Sequence, residues 1–242
     1  MSERLLSVIA GSGMGPLAAM IEADAVTPFA EIDGVGACGV TGHAGEVREG
    51  TVAGRRCILV LGRRHGYEGA FAAIPRLVAW LAGRGTTDLL VTSAAGALRT
   101  TLMPGDLMVF HDLLDRQNRR AAPGARRPSL DRGLTAAVER AARAAGVALH
   151  RGTGVSGIGP AYETVAEVGS LQVAAGDVAT MSGAPEIAAA DALGLRCAAV
   201  ALVTNPCTGI ASATPSHAEV LRVGRETSGG LAGLIRQLVM EL

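Results

Sequence analysis

Short apolar runs, each ending in small or polar residues and followed by a helix-like stretch, constrain this chain more than any other feature. The runs lie at residues 5–10, 57–61, 88–92, 107–110, 177–181 and 197–203 and are rich in Val, Ile and Leu. Runs this short and this continuous predict strands covered on both faces. Helices are predicted between and after them, at 16–24, 70–82, 133–145, 164–175, 185–193 and 217–242. The alternation implies an α/β fold: a single domain over residues 1–242, with a mixed, mostly parallel β-sheet flanked by helices on both faces. A chain of 242 residues hides roughly three quarters of its unfolded surface, so it needs neither disulfide nor metal to fold.

Composition narrows the classes of function. The 22 basic and 22 acidic residues cancel, so neither nucleic acid nor an anionic membrane is an expected partner. The four cysteines, Cys38, Cys57, Cys197 and Cys207, show no C-x-x-C spacing, as reduced cytoplasmic thiols would. The apolar run near Met1 is too short for a signal peptide or a membrane span. A soluble, cytoplasmic protein is expected. The five histidines show no i,i+3 or i,i+4 pairing and no Cys/His cluster, so no metal site is expected. No G-x-S-x-G elbow is present, against a serine hydrolase. Residues 116–127, rich in Arg, Ala, Pro and Gly, read as an exposed loop.

In open α/β sheets, ligands bind beyond the carboxyl ends of the strands. The residues expected there are Gly11-Ser12-Gly13, Gly62-Arg63-Arg64-His65, Ser93-Ala94-Ala95-Gly96, Met181-Ser182-Gly183 and Thr204-Asn205. Hydroxyls, small residues and cations together suit a phosphate. Gly11-Ser12-Gly13-Met14-Gly15 is neither G-x-G-x-x-G nor a P-loop, but its glycines let the backbone approach an anion, with Pro16 placed to open a helix. Arg63 offers a planar fork of donors, and His65 can be held in one tautomer or kept protonated. Ser182 reads as an N-cap or as part of an anion cradle. His43 lies among small residues and is able to approach the same anion.

The other wall of a site is legible further along. Thr164-Val165-Ala166-Glu167 is a capping box, which leaves Glu163 on the preceding loop as an acceptor for a ligand N–H. Asn205 ends the strongest apolar run, where its amide can both donate and accept. Ser216-His217-Ala218-Glu219 is a second capping box, with His217 in the first helical turn. The only tyrosines, Tyr67 and Tyr162, each precede a glutamate and read as rim residues.

Taken in order, these segments resemble the trimeric purine nucleoside phosphorylase family (nucleoside phosphorylase class II, 6-oxopurine type). The resemblance is carried by Gly11–Gly15, Gly42-His43-Ala44-Gly45, Gly62–Gly69, Ser93–Gly96, Pro104-Gly105-Asp106, Gly159–Glu167, Met181-Ser182, Pro185-Glu186 and Thr204-Asn205. It implies that Ser12, Arg63, His65, Ser182 and the Ala94 amide hold phosphate, with His43 beside it and Glu68 orienting His65. Tyr67, Met181 and His217 would line the ribose; Tyr162, Glu163 and Asn205 would hold the purine. Glu163, Asn205 and His65 would be the catalytic set, and inorganic phosphate a co-substrate with no other cofactor. The implied reaction is phosphorolysis of inosine and guanosine to base and ribose 1-phosphate, by a homotrimer. A 5′-methylthioadenosine phosphorylase would call for aspartate at the base, and a non-catalytic nucleoside binder would need no phosphate cradle. The chain departs from the family in three respects. Asp112-Leu113-Leu114-Asp115 stands where members read Asp-His-Ile-Asn, and Ser93 replaces the usual Asn. The phenylalanine that a neighbouring subunit donates to the ribose site has no counterpart among Phe29, Phe71 and Phe110.

Overall fold

A computed structural model describes residues 4–117, 128–212 and 214–242. Its strands are β1 (Leu6–Ala10), β2 (Glu22–Pro28), β3 (Glu46–Val52), β4 (Arg55–Leu61), β5 (Asp88–Ala97), β6 (Leu107–Asp115), β7 (Leu149–Ser156), β8 (Val178–Thr180) and β9 (Arg196–Pro206). The helices are α1 (Ala73–Gly83), α2 (Arg132–Ala144), α3 (Val165–Val173), α4 (Ala184–Ala192) and α5 (His217–Glu241). One mixed sheet runs in the order β2-β3-β4-β1-β5-β8-β7-β6-β9. Because β9 also pairs with β5 in parallel, the last five strands close into a ring. Strands β1, β4, β5 and β9 run parallel to one another, so their carboxyl ends gather on one side.

Helices cover both faces. On one, α2 and α5 pack Leu134, Val138, Leu231, Leu234 and Leu238 onto Val8, Leu90, Val109 and Val200. On the other, Leu77, Val78 and Leu81 of α1 and Ile187 of α4 meet Ile9, Ile58, Leu89 and Val203. Such burial, at about 25 cal/mol per Å² of apolar surface, holds the layers together.

The long α3 and α5 starts follow the sequence. Thr164 caps α3 through a reciprocal capping box with Glu167, and the Ser216 hydroxyl accepts from the Glu219 amide to cap α5. Other elements depart from it. The helix predicted at 16–24 is only a 3-10 turn, Gly15–Met20, followed by the extended chain of β2. Leu17 is the turn's one buried side chain, and residues 22–28 instead satisfy the backbone groups of β3. The β2–β3 and β3–β4 pairings add antiparallel strands that lack an apolar run, β2 being exposed along nearly its whole length. β7 also lacks a strand's apolar period, because Gly152 and Gly154 occupy two of its buried positions. A Cβ at Gly154 would stand 2.2 Å from the Phe110 ring. Of the tract predicted as an exposed loop, Arg116 is exposed, Gln117 is buried, and 118–127 lie outside the described residues. Among the described residues, no helix is long and apolar enough to cross a membrane.

Candidate active site

A single cleft at the carboxyl ends of the parallel strands gathers most of the residues singled out from sequence. Ser12 and Gly11 follow β1, Arg63, His65 and Tyr67 follow β4, and Ala94 lies within β5. Asn205 comes from β9, Tyr162 and Glu163 from the loop after β7, and His217 from the first turn of α5. Met181 and Ser182 arrive differently. β8 runs antiparallel to the end of β5, and the chain turns back so that Ser182 Oγ stands 3.2 Å from Ser93 Oγ. All but one of the predicted site residues line this cleft. His43 does not: it stands behind Ser12, 2.8 Å from its hydroxyl.

One wall is dominated by Arg63, whose side chain is only 2% exposed and faces Glu186 at 3.2 Å. Its guanidinium donates to the Thr92 and Ile9 carbonyls and to Ser93 Oγ at 3.3 Å. Burial lowers its pKa, and the Glu186 carboxylate opposes that shift. Glu186 also accepts from the Gly183 amide at the start of α4. Gly183, with φ 98°, takes the N-cap position that the sequence offered to Ser182, leaving the Ser182 side chain to the cleft. The close approach of β1 to β5 depends on Gly11, where a Cβ would lie 2.9 Å from the Ala94 amide nitrogen. That nitrogen is one of the predicted anion donors.

The two histidines of this wall have defined tautomers. The Arg63 main-chain N–H donates to His43 Nδ1 at 2.8 Å, a contact shorter than the 3.2 Å from that nitrogen to the Arg63 carbonyl. Nδ1 therefore carries no hydrogen, Nε2–H donates to Ser12 Oγ, and the Ser12 hydrogen is left for a ligand. Glu68 accepts from the His65 amide at 2.7 Å and faces His65 Nδ1 at 3.3 Å. This places the His65 hydrogen on Nδ1 and leaves Nε2 as an acceptor. Burial, then the neighbouring charges, pushes both imidazoles down to about 3: His65 and Arg63 act on His43, Arg63 and His217 on His65. Both rings are neutral at pH 7 in the unliganded protein, so of the two states the sequence left open for His65, the fixed tautomer is the one present.

The opposite wall is more open. Tyr162 is 37% exposed, and the half-buried Glu163 carboxylate accepts no hydrogen bond from the described residues. Its Oε1 faces Gly157, 3.4 Å from where a Cβ would stand there. Asn205 is buried, and its amide orientation is set by its neighbours. The Pro206 carbonyl can only accept, so it takes Nδ2–H at 2.9 Å, and Thr204 Oγ1 donates to Oδ1 at 2.9 Å. One amide hydrogen remains for a ligand. Tyr67 stacks on His65 with ring centroids 4.8 Å apart, and His217 Nε2 lies 3.0 Å from the Thr41 carbonyl.

Sequence reasoning gave no role to several residues that shape the cleft. Glu186 is marked only within the Pro185-Glu186 segment, and Ser93 only as part of a strand-end segment and as a departure from the usual Asn; neither is given a role. Gln117, whose Nε2 donates to Ser156 Oγ at 2.8 Å and the Gly157 carbonyl at 3.2 Å beneath the Glu163 loop, carries no sequence signal.

Sheet and cleft together define a class: a helix-covered α/β protein with one cleft, whose one wall carries a buried arginine, hydroxyls and a main-chain amide and whose other wall carries a carboxylate and a carboxamide. Comparison with known proteins agrees. The phosphorylase superfamily profile matches residues 6–240. Purine nucleoside phosphorylase 1 of Bacillus subtilis is 31% identical over 98% of this chain and 92% of its own length. Crystal structures of Schistosoma mansoni purine nucleoside phosphorylase with inosine and with adenosine each superpose with TM-score 0.86 at 28% identity, covering 98% of this chain and 90% of theirs. The chain belongs to the phosphorylase superfamily, and within it to the purine nucleoside phosphorylase family.

Proposed function

We propose that this chain cleaves inosine and guanosine with inorganic phosphate, releasing the purine and ribose 1-phosphate. The observation that carries the reading is the meeting, in one cleft, of the Ser12–Arg63–His65–Ala94–Ser182 wall with Glu163 and Asn205. Breaking a purine glycosidic bond builds positive charge on the sugar and negative charge on the departing base. Phosphate held beneath C1′ is both nucleophile and counter-charge, so positioning and electrostatics supply most of the acceleration. The free Asn205 amide hydrogen bonds N7 as charge grows there. The unpaired Glu163 carboxylate accepts N1–H of a 6-oxopurine; adenine has no such hydrogen and leaves the carboxylate without a partner. Tyr162 covers the base, Tyr67 and Met181 line the ribose, and His217 lies toward its 5′-hydroxyl. His43 acts behind Ser12 and Glu68 behind His65. Phosphate is the only co-substrate this reading needs. The working unit is residues 1–242 as one domain, in a cytoplasmic homotrimer.

The test is to incubate the purified protein with inosine, with and without phosphate, and follow hypoxanthine, with adenosine and methylthioadenosine alongside. Phosphate-dependent release from inosine and not from adenosine is expected. Release without phosphate would make it a hydrolase. Equal release from adenosine would overturn the base-site assignment, and no release from any nucleoside would leave a binding protein.

A further inference from the structure

Ser93 has no part in the roles above, yet it is buried at the point where the Arg63 and Ser182 side chains converge. Arg63 Nη1 lies 3.3 Å from Ser93 Oγ, and Ser93 Oγ lies 3.2 Å from Ser182 Oγ. A guanidinium has no acceptor, so the first contact has one direction: Nη1–H donates and Ser93 accepts. That leaves the single Ser93 hydrogen free to be donated to Ser182 Oγ. On its other side Ser182 Oγ faces Thr180 Oγ1 at 3.2 Å. A hydroxyl oxygen has two lone pairs. Either hydroxyl of the Ser182–Thr180 contact can donate; when Ser93 and Thr180 both donate to Ser182, its hydrogen is free to point into the cleft that Ser182 lines. The Ser182 carbonyl, held by Ser156 Oγ at 2.9 Å, keeps the residue in place.

We propose that Ser93 is a positioning residue for the anion, passing the polarisation of the buried Arg63 to Ser182 and fixing the Ser182 hydroxyl as a donor toward phosphate. This rests on the phosphorolytic reading. It gives Arg63 a second indirect action: its main-chain N–H orders Ser12 through His43, and its side chain orders Ser182 through Ser93. Hydrogen bonds that begin on a charged donor and run through hydroxyls strengthen one another in a buried setting.

The experiment is a double-mutant cycle on the full chain, using Ser93→Ala, Ser182→Ala and both together. Initial rates are measured with phosphate varied at saturating inosine, and with inosine varied at saturating phosphate. Ser93→Ala is expected to raise the phosphate KM about 3–10-fold, the scale of one lost buried hydrogen bond, while the inosine KM stays within about twofold. On the Ser182→Ala background the same change should add nothing, because a relay has no effect once its recipient is gone. Ser93→Thr, which keeps the hydroxyl, should restore the phosphate KM. An unchanged phosphate KM, additive effects, or equal rises in both KM values would overturn the proposal. Should Ser93→Ala fail to fold, Ser93→Cys, near in size and a weak donor, is read by the same KM split. A wild-type protein without phosphate-dependent release would instead defeat the functional reading, before any variant is compared.

Discussion

The two walls of the cleft are built in opposite ways. On the wall proposed for the anion, Arg63, His65, Ser93 and Ser182 are buried and sit on or just beyond strands; Arg63, Ser93 and Ser182 are linked by hydrogen bonds, and His65 is held by Glu68. On the wall proposed for the base, Tyr162 and Glu163 ride a loop, Tyr162 is more than a third exposed, and the Glu163 carboxylate has no hydrogen-bond partner among the described residues. A buried cation cannot be left idle between substrates, since an uncompensated charge in the interior costs several kcal/mol. Arg63 is therefore tied into the fold by Glu186 whether or not an anion is present. A half-exposed carboxylate is hydrated while it waits and need not be tied. The anion wall should thus serve stability and function together, and the loop side of the base wall, Tyr162 and Glu163, function alone; Asn205, buried in β9, belongs with the first kind.

The largest effect should come from Arg63→Met. It leaves the Glu186 carboxylate buried beside an apolar chain and is expected to cost about 3–5 kcal/mol of stability, with phosphorolysis abolished. Adding Glu186→Gln removes the stranded charge and should recover most of the stability but none of the activity. Urea unfolding of the two variants measures this. Recovery of activity in the double variant, or a single variant as stable as wild type, would break the contrast between the walls.

Glu163→Gln tests the other side. The amide keeps the shape and loses an ionised acceptor, so kcat/KM for inosine should fall about 10²-fold, the scale of one group aimed at the reacting base. The phosphate KM should stay within about twofold and unfolding stability within about 0.5 kcal/mol. A stability loss of several kcal/mol would show that the base wall is also built into the fold.

The same contrast explains what the sequence made legible. Strand-end motifs such as Gly11-Ser12, Arg63-His65 and Thr204-Asn205 announce themselves because they follow apolar runs, and the cleft collects them as expected. A capping box at Thr164 and an N-cap at Ser216, which lacks the expected return bond from Glu219, placed Glu163 just outside and His217 just inside their helices by local chemistry alone. What stayed hidden depends on contacts distant in the chain. Ser93 meets Ser182 across 89 positions because β8 folds back on β5, and no local pattern encodes that return. β7 carries glycines where Phe110 and Met108 need the room, so the apolar period that marks a strand is missing there. The exposed β2 has no apolar signal at all, because β3 supplies its reason to be extended.

A third test sharpens the comparison through acid. His43 and His65 are held down at about 3, against 6.5 in an unfolded chain. Between those values the unfolded chain binds protons that the folded one refuses, so folding stability must fall as pH drops from 6.5 toward 3 and is unaffected by these groups above 6.5. Each ring contributes at most about 1.4 kcal/mol per pH unit within that window. His65→Asn removes one of the two titrations while an amide still faces Glu68. The difference in unfolding free energy between wild type and His65→Asn, measured without phosphate from pH 7 to pH 4, cancels the carboxylates common to both. It should shift in the variant's favour by up to that slope as the pH falls. A difference that stays flat would mean that His65 takes up its proton in the folded state as readily as in the unfolded one. The anion wall would then be no more closed to water than the base wall opposite it.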